Sequence, residues 1–361
     1  MTDPRGAWQS VRRRPRLALS AGALIALLVV AAIAGSLVLQ AAAPTPVAAV
    51  PPSRSPAPAA SPSPSPSPTP SPSPSPTPAP TPIPTPGVDS LLGSDGRFTL
   101  LLLGSDYRRG HPGNRTDTIM VISVNPTNGA VSAASIPRDT VSFPLPDGTK
   151  FGPKINELYQ RYISRIGEKK AGPAMSKTVG RALGVEIDNY VVIGFEGVKR
   201  LVNAVGGVDV VLDKAIRDPV YWLTPTKRGV TFKAGRNHLN GERALIFART
   251  RKADNDFERA RRQQKLVAAA VASVRKVGLL QVPELLSIAR NHVKTDLPLA
   301  QAPQIFEIVG SAKTKKATGI VFGPRKWAQS TGGASFALKI GEVRTWTKKW
   351  MGPVKDATTA P

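Results

Sequence analysis

A nearly unbroken apolar run, Phe98 to Leu103 (FTLLLL), ends in Gly104-Ser105-Asp106, as a strand buried on both faces ends in a loop. Arg115-Thr116-Asp117 leads into Thr118 to Val124 (TIMVISV), a second strand rich in β-branched residues. Asn125 to Gly129 reads as a hairpin-like turn, and Val131 to Ile136 as a third strand closed by Pro137-Arg138-Asp139. Three polar triplets therefore punctuate strand boundaries. Asp106 follows one strand and Asp117 opens the next, so antiparallel pairing brings both carboxylates to one edge of a sheet.

Further along, Lys154-Ile155-Asn156 opens a predicted helix running towards Leu183, Tyr190 to Gly194 a strand and Phe195 to Val205 a helix. Gly206-Gly207 stops that helix before the strand Val208 to Leu212. The apolar positions here (Val191, Ile193, Phe195, Val198, Leu201, Val202, Val205) are most simply core; a lipid-binding groove is the sharper alternative. Asp213 to Asn240 reads as an irregular excursion containing Tyr221 and Trp222, and Gly241 to Phe247 as a short helix. A long helix is expected to about Val277, then helices over Pro283 to Ala289 and Leu299 to Ser311, with strands near Ile320 and Phe336 that pack on or extend the sheet.

The stretch Arg249 to Gln264 carries five arginines. Arg249 and Arg251, two apart, point to one face if they end a strand; Arg259 and Gln263, four apart, share a helix face. Joined by the polar turn Lys252 to Asn255, they would aim three guanidinium forks and an amide into one space, with Asp254 or Asp256 as the helix cap. Guanidinium grips phosphate oxygens in pairs, so the set suits a polyanion; the alternative is a solvated helix face laced with ion pairs. Lys154 is a further candidate phosphate contact. Asp106 and Asp117 facing such a cluster suit Mg²⁺, a hard ion completed by substrate phosphates and water, although a turn aspartate bonding its own backbone also explains Asp106. Asp139 and Asp256 are candidates for a general base.

The N-terminal pattern is of another kind. Leu17 to Leu39 is free of charge, and its length of about 23 residues is enough to cross a hydrocarbon core of roughly 30 Å. The apolar region of a cleaved signal peptide runs about 7 to 15 residues, so the length favours an uncleaved anchor even though Ala41-Ala42-Ala43 suits a peptidase. Residues 1–16, with five arginines against one aspartate, then stay in the cytoplasm and the remainder lies outside the cell. From Pro44 to Pro86 proline alternates with Ser, Thr and Ala, which excludes helix and sheet. The segment 40–92 is expected to be a disordered or polyproline II stalk, the proline-rich part of which could reach on the order of 100 Å if fully extended.

Charge narrows the partners. Of the formal +25 over 361 residues, the N-terminal flank holds +4 and Arg54 +1, so the outer part carries +20. That balance points to an acidic partner: nucleic acid, anionic headgroups or an anionic wall polymer, the first disfavoured by topology and by the lack of a recognition helix, zinc motif or aromatic platform. There is no cysteine, which excludes thiol catalysis, and the three histidines (His111, His238, His292) are scattered.

The segments LLLGSD, NRTDTIMVISVNP, SIPRDT, KINELY, VVIGFEGVKRLVNAVGGVDV, AGRNHLNGERALIFARTR and DFERARRQQ, in that order over roughly Arg97 to Ala270, resemble the LytR-CpsA-Psr family of membrane-anchored bacterial proteins. The resemblance implies an α/β fold with a central mixed sheet flanked by helices and a catalytic domain over 93–277; the pattern reading alone places C-terminal helices and strands (278–361) on the same domain. It implies a polyprenyl-pyrophosphate lipid in an apolar tunnel, and Mg²⁺-dependent transfer of a phosphoglycan to a peptidoglycan hydroxyl. It assigns Asp106 and Asp117 to the metal, and Arg115, Arg138, Arg249, Arg251, Arg259 and Gln263 to the pyrophosphate. The sequence departs from the family at Thr116, where serine is frequent, and at Glu258, where glycine is common. Phosphoryl transfer needs positioning and charge neutralisation more than covalent help, which agrees with an arginine-rich site. A pyrophosphatase acting on the same bond, or a non-catalytic lipid or wall-polymer binding module, would carry a similar arginine set.

Overall fold

The computed structural model describes residues 91–107, 114–251, 255–274, 282–298, 301–313, 317–324 and 326–354. The predicted basic flank, the membrane span, nearly all of the stalk, His111 and Asp254 lie outside them. Among the described residues, no helix is long and apolar enough to cross a membrane.

Phe98–Ser105 (β1) and Thr116–Val124 (β2) pair antiparallel, with Leu102 opposite Met120 and Ser105 opposite Thr116, and Val131–Ser135 (β3) extends the meander. A small hairpin, Phe143–Pro144 (β4) and Lys150–Phe151 (β5), precedes the region expected as one helix. That helix is instead a 3-10 turn, Ile155–Glu157, followed by Leu158–Ile166 (α1) and Glu168–Leu183 (α2). The break falls at Gly167, whose φ of 82° lies where glycine avoids the Cβ penalty; its N–H closes α1 on the Ile163 carbonyl at 3.0 Å.

Asn189–Gly194 (β6) lies parallel to β1, and Phe195–Ala204 (α3) stops before Gly206 and Gly207, both of positive φ, ahead of Val208–Leu212 (β7). Asp213 to Asn240 is regular, against expectation: Ile216–Trp222 (β8) and Arg228–Phe232 (β9) form a hairpin and Gly235–Leu239 (β10) pairs with β7. The alternation was hidden because one inward position is Asp218, at 2% exposure. There follow Gly241–Arg249 (α4), Asp256–Val274 (α5), Val282–His292 (α6), Val293–Thr295 (β11), Ala302–Ser311 (α7), Thr318–Val321 (β12), the hairpin Ala328–Gly332 (β13) and Ser335–Leu338 (β14), and Ile340–Met351 (α8). Helix α8, unpredicted, buries only Val343, Thr347 and Met351, a stripe too narrow to announce itself.

The central sheet runs β11-β6-β1-β2-β3-β12, with β6 parallel to β1 and β12 parallel to β3, so it is mixed. Period two along β1 splits the apolar run between two cores. Leu100 and Leu102 pack with Leu201 of α3, Phe247 of α4, Leu266 of α5 and Leu285 of α6; Leu101 and Leu103 pack with Leu158 of α1, Met175 of α2 and Val343 of α8. Helices thus cover both faces, which is why the strand reads as continuously hydrophobic.

Candidate active site

On the first of these faces the apolar layer leaves a cavity of about 260 Å³ between the sheet (Leu102, Ile193), α3 (Val198, Leu201, Val202), α4 (Leu245, Ala248) and α5 (Leu266, Val267, Ala270). Its mouth is lined by Asp106, Asp117, Arg138, Arg249, Arg251, Arg259 and Gln263. Of the positions left open between core and groove, Ile193, Phe195, Val198, Leu201 and Val202 line this cavity, while Val191 is fully buried in the core.

Helix α4 is positioned at both ends. Asn240 caps it, its side-chain oxygen accepting the Arg243 N–H at 2.9 Å. Arg249 is the last residue of α4 rather than part of a strand end, and extended Thr250 (φ −57°, ψ 137°) carries the chain on to Arg251. Two buried residues that sequence reading passed over hold this turn. Asp218 accepts from Thr250 Oγ1 at 2.6 Å and from the Arg251 N–H at 3.0 Å; Arg262 donates to the Phe247 carbonyl at 3.2 Å and to the Thr250 carbonyl, oxygens that a helix end leaves open. Arg249 also lies over the Phe195 ring, 4.5 Å from its centroid. Arg249 and Arg251 therefore reach one space through a helix end and a pinned turn, not through strand alternation.

Helix α5 begins on Asn255, whose side-chain oxygen accepts the N–H groups of Phe257 and Glu258, each at 3.0 Å. Asn255 is thus the cap in place of the expected Asp256, because the Asp256 carboxylate is drawn into the arginines: Arg251 Nε at 2.9 Å, Arg259 Nη1 at 3.2 Å and Arg138 Nε at 3.5 Å. Arg259 and Gln263, one turn apart, both face the cavity mouth.

The aspartates meet at one edge of the β1–β2 pair. Asp106 accepts the Arg115 N–H at 2.7 Å, a loop-bracing role. Asp117 receives Arg138 Nη1 at 3.0 Å on each oxygen and Asn156 Nδ2 at 3.1 Å. Arg115 stands outside the mouth, more than half exposed and 3.4 Å from Glu157. Lys154 is likewise outside it, its ammonium 2.5 Å from Asp139, which leaves that carboxylate neutralised.

Four guanidinium groups face two carboxylates at the mouth. Arg259 is only 5% exposed, and burial pulls its pKa down to about 10 despite the attraction of Asp256. Burial also works against the Arg138 charge, but Asp117, Asp256 and Asp139 outweigh it and hold that guanidinium protonated. The Nε atoms of both arginines are buried and make no hydrogen bond. Burial pushes the Asp256 carboxyl up, yet the guanidinium groups of Arg259, Arg138 and Arg251 bring it below the ordinary carboxylate range. Asp256 therefore acts as a fixed anion that orients guanidiniums. Four guanidinium groups at the mouth of an apolar cavity suit an amphiphile with a multiply charged oxyanion head.

The sequence matches the LytR_cpsA_psr family over residues 80–340. It is 36% identical over 203 residues to the polyisoprenyl-teichoic acid–peptidoglycan teichoic acid transferase TagU of Bacillus mycoides (strain KBAB4), covering 55% of this chain and 60% of that protein. It is 31% identical over 223 residues to the transferase of the same description, TagV, of Bacillus subtilis (strain 168), covering 61% of this chain and 54% of the relative. The matches thus span little more than half the length of these relatives. The crystal structure of B. subtilis TagV superposes with a TM-score of 0.57 at 26% identity, over 73% of this chain and 100% of that one. With the family pattern matched across most of the chain and the same mixed α/β architecture beneath it, this protein belongs to the LytR_cpsA_psr family.

Proposed function

We propose that the protein transfers a glycopolymer phosphate from a polyprenyl-pyrophosphate carrier to a peptidoglycan hydroxyl during cell-wall biogenesis. The observation that carries this reading is the continuity of an arginine-lined mouth with an apolar cavity, the two-part complement of a pyrophosphate head and a prenyl tail. The names of the TagU and TagV relatives support donor and acceptor classes of this kind.

In the proposed reaction the acceptor oxygen forms a bond to the glycan-linked phosphorus as the anhydride bond breaks. Polyprenyl phosphate leaves and the hydroxyl proton is lost to a base or solvent. Arg138, Arg249, Arg251 and Arg259 would hold the pyrophosphate oxygens and balance the charge that shifts to the leaving phosphate. A Mg²⁺ ion would be held by Asp106 and Asp117, and would neutralise phosphate charge there. The donor set fits a hard ion, since both side chains are carboxylates at the same mouth. Among the described residues no three His, Cys, Asp or Glu form a complete metal cage, so such an ion would depend on substrate oxygens for its remaining ligands. The positive-inside flank and the apolar segment before the stalk support a single-pass anchor with this domain outside the cell.

The test is a transfer assay with the full-length chain, a polyprenyl-pyrophosphate oligosaccharide and a peptidoglycan fragment, with and without Mg²⁺, against Arg249→Ala and Asp117→Ala. Sugar phosphate on the acceptor, lost in both variants, is expected. Free sugar phosphate without coupled product would indicate a pyrophosphatase, and lipid binding without turnover would refute catalysis.

A further inference from the structure

Helix α8 closes on Lys348-Lys349-Trp350-Met351. Its buried stripe ends with Met351, so the last turn leaves Lys348, Lys349 and Trp350 exposed, the indole by 39%. The simplest account covers the lysines alone, since cations in a last turn complement the helix dipole. It leaves the indole unexplained, and that indole is held in place. Trp346 lies 6.5 Å from it between ring centroids, the Lys349 ammonium stands 5.3 Å from its centroid, and the Ser132 hydroxyl donates to its carbonyl at 2.7 Å. Trp346 is in turn backed by buried Phe322 at 5.9 Å, so the aromatic surface continues into the core. This end of α8 is also where the chain enters the domain. The Val354 N–H, just past the helix, donates to the Asp95 carbonyl at 2.9 Å, which sets the start of the described residues, at Leu91, beside the last turn of α8.

We propose that this corner seats the domain on the anionic surface of a bilayer, with Trp350 at headgroup level and Lys348 and Lys349 against the lipid phosphates. An indole with one apolar and one polar side favours the membrane–water interface, and lysines beside it are drawn to anionic headgroups. Glu342, the acid of α8, stands in the first turn, at the far end of the helix. The carboxylates near the chain entry are bonded to backbone: Asp95 accepts the Arg97 N–H at 2.9 Å, Glu186 the Ser94 N–H at 2.9 Å and Asp188 the Thr99 N–H at 2.6 Å. A patch this small would hold a free protein weakly. The stalk changes that, because it keeps one bilayer at high local concentration next to the corner where it joins. The inference rests on the reading of Leu17 to Leu39 as a membrane anchor.

The experiment reconstitutes the full-length chain in nanodiscs whose acyl chains carry bromine, which quenches tryptophan on contact, made with phosphatidylglycerol or with zwitterionic lipid alone. Quenching of Trp350 is read as the difference between wild type and Trp350→Phe, so that the signal of Trp8 in the N-terminal flank cancels. The difference should be present with phosphatidylglycerol and fade as salt is raised. Replacing Lys348 and Lys349 together by glutamine should lower the ratio of seated to lifted domain by about thirtyfold, roughly fivefold per lysine. Trp222, exposed on the β8–β9 hairpin, should stay unquenched. No difference between wild type and Trp350→Phe in phosphatidylglycerol discs would overturn the proposal. So would soluble poly(glycerol phosphate) that shifts Trp350 emission while the discs leave it unquenched, which would assign the patch to a wall polyanion. Vesicle flotation tests the anchor separately: a chain that leaves the vesicles at high salt, yet meets phosphatidylglycerol through Trp350 at low salt, would sink the anchor and leave the seat standing.

Discussion

Replacing Asp256 by alanine removes one carboxylate from between three guanidinium groups, at 2.9, 3.2 and 3.5 Å. Arg259, at 5% exposure, is left without its counter-ion, while Arg138 keeps Asp117. Removing one partner of a buried pair costs about 3–5 kcal/mol, because the surviving charge stays desolvated. The Asp256 side chain keeps 21% exposure, so water returns part of the loss and the lower end of that range, about 3 kcal/mol, applies. For a domain of this size that is a fall in Tm of about 6–12 °C. Differential scanning fluorimetry of the full-length chain at low ionic strength reads it directly. Inorganic pyrophosphate supplies the missing negative charge, so at one concentration it should raise the Tm of Asp256→Ala more than that of the wild type; at roughly 100 times the variant's Kd it should stabilise the variant by about 2.7 kcal/mol. A Tm within about 2 °C of wild type would refute the claim that Asp256 balances buried charge. A full loss that pyrophosphate does not recover would refute the arginine cluster as its binding site.

Two further outcomes are expected. Asp188 accepts the Thr99 N–H at 2.6 Å, and burial, aided by nearby Asp95 and Glu186, raises its carboxyl to about 7 against the pull of the Thr99 and Gly93 amides. The folded state then binds this proton more tightly than the unfolded chain. The group's contribution to stability therefore falls as pH rises between about 4 and about 7 and is level above; Asp188→Asn should flatten that part of a Tm–pH profile, and an unchanged slope would count against the shift. Gly241→Ala improves helix propensity by about 1 kcal/mol, but a Cβ there would sit 2.1 Å from the Lys199 carbonyl oxygen, and backbone cannot swing aside. Overpacking of about 1–3 kcal/mol should win, lowering the urea midpoint and, because Arg249 ends the same helix, the rate of the proposed transfer; a gain in stability would show that α3 and α4 part freely.

Much of this was legible because local rules act over few residues. The three-strand meander, the Gly206-Gly207 stop and the spacing of Arg259 and Gln263 follow from alternation, turn chemistry and helical period, and each reappears in the structure. The arginine-rich stretch pointed to a candidate anion site for the same reason: guanidinium chemistry does not depend on which element presents it.

Tertiary structure alone decided how the site is held. Asp218 and Arg262, 44 residues apart in the chain, meet at the turn after Arg249, and only the packing of β8 and α5 around that turn buries both charges. Lys154 carried the right charge for a phosphate but is spent on Asp139, and Asp256 carried the right chemistry for a cap but faces three arginines. The apolar positions of α3 could be core or cavity, since period 3.6 marks the buried face without stating whether anything fills it. Sequence thus determined which elements form and which chemistry they carry, whereas long-range packing determined which charges cancel and which are left to meet a ligand, because pairing depends on distance in space rather than along the chain.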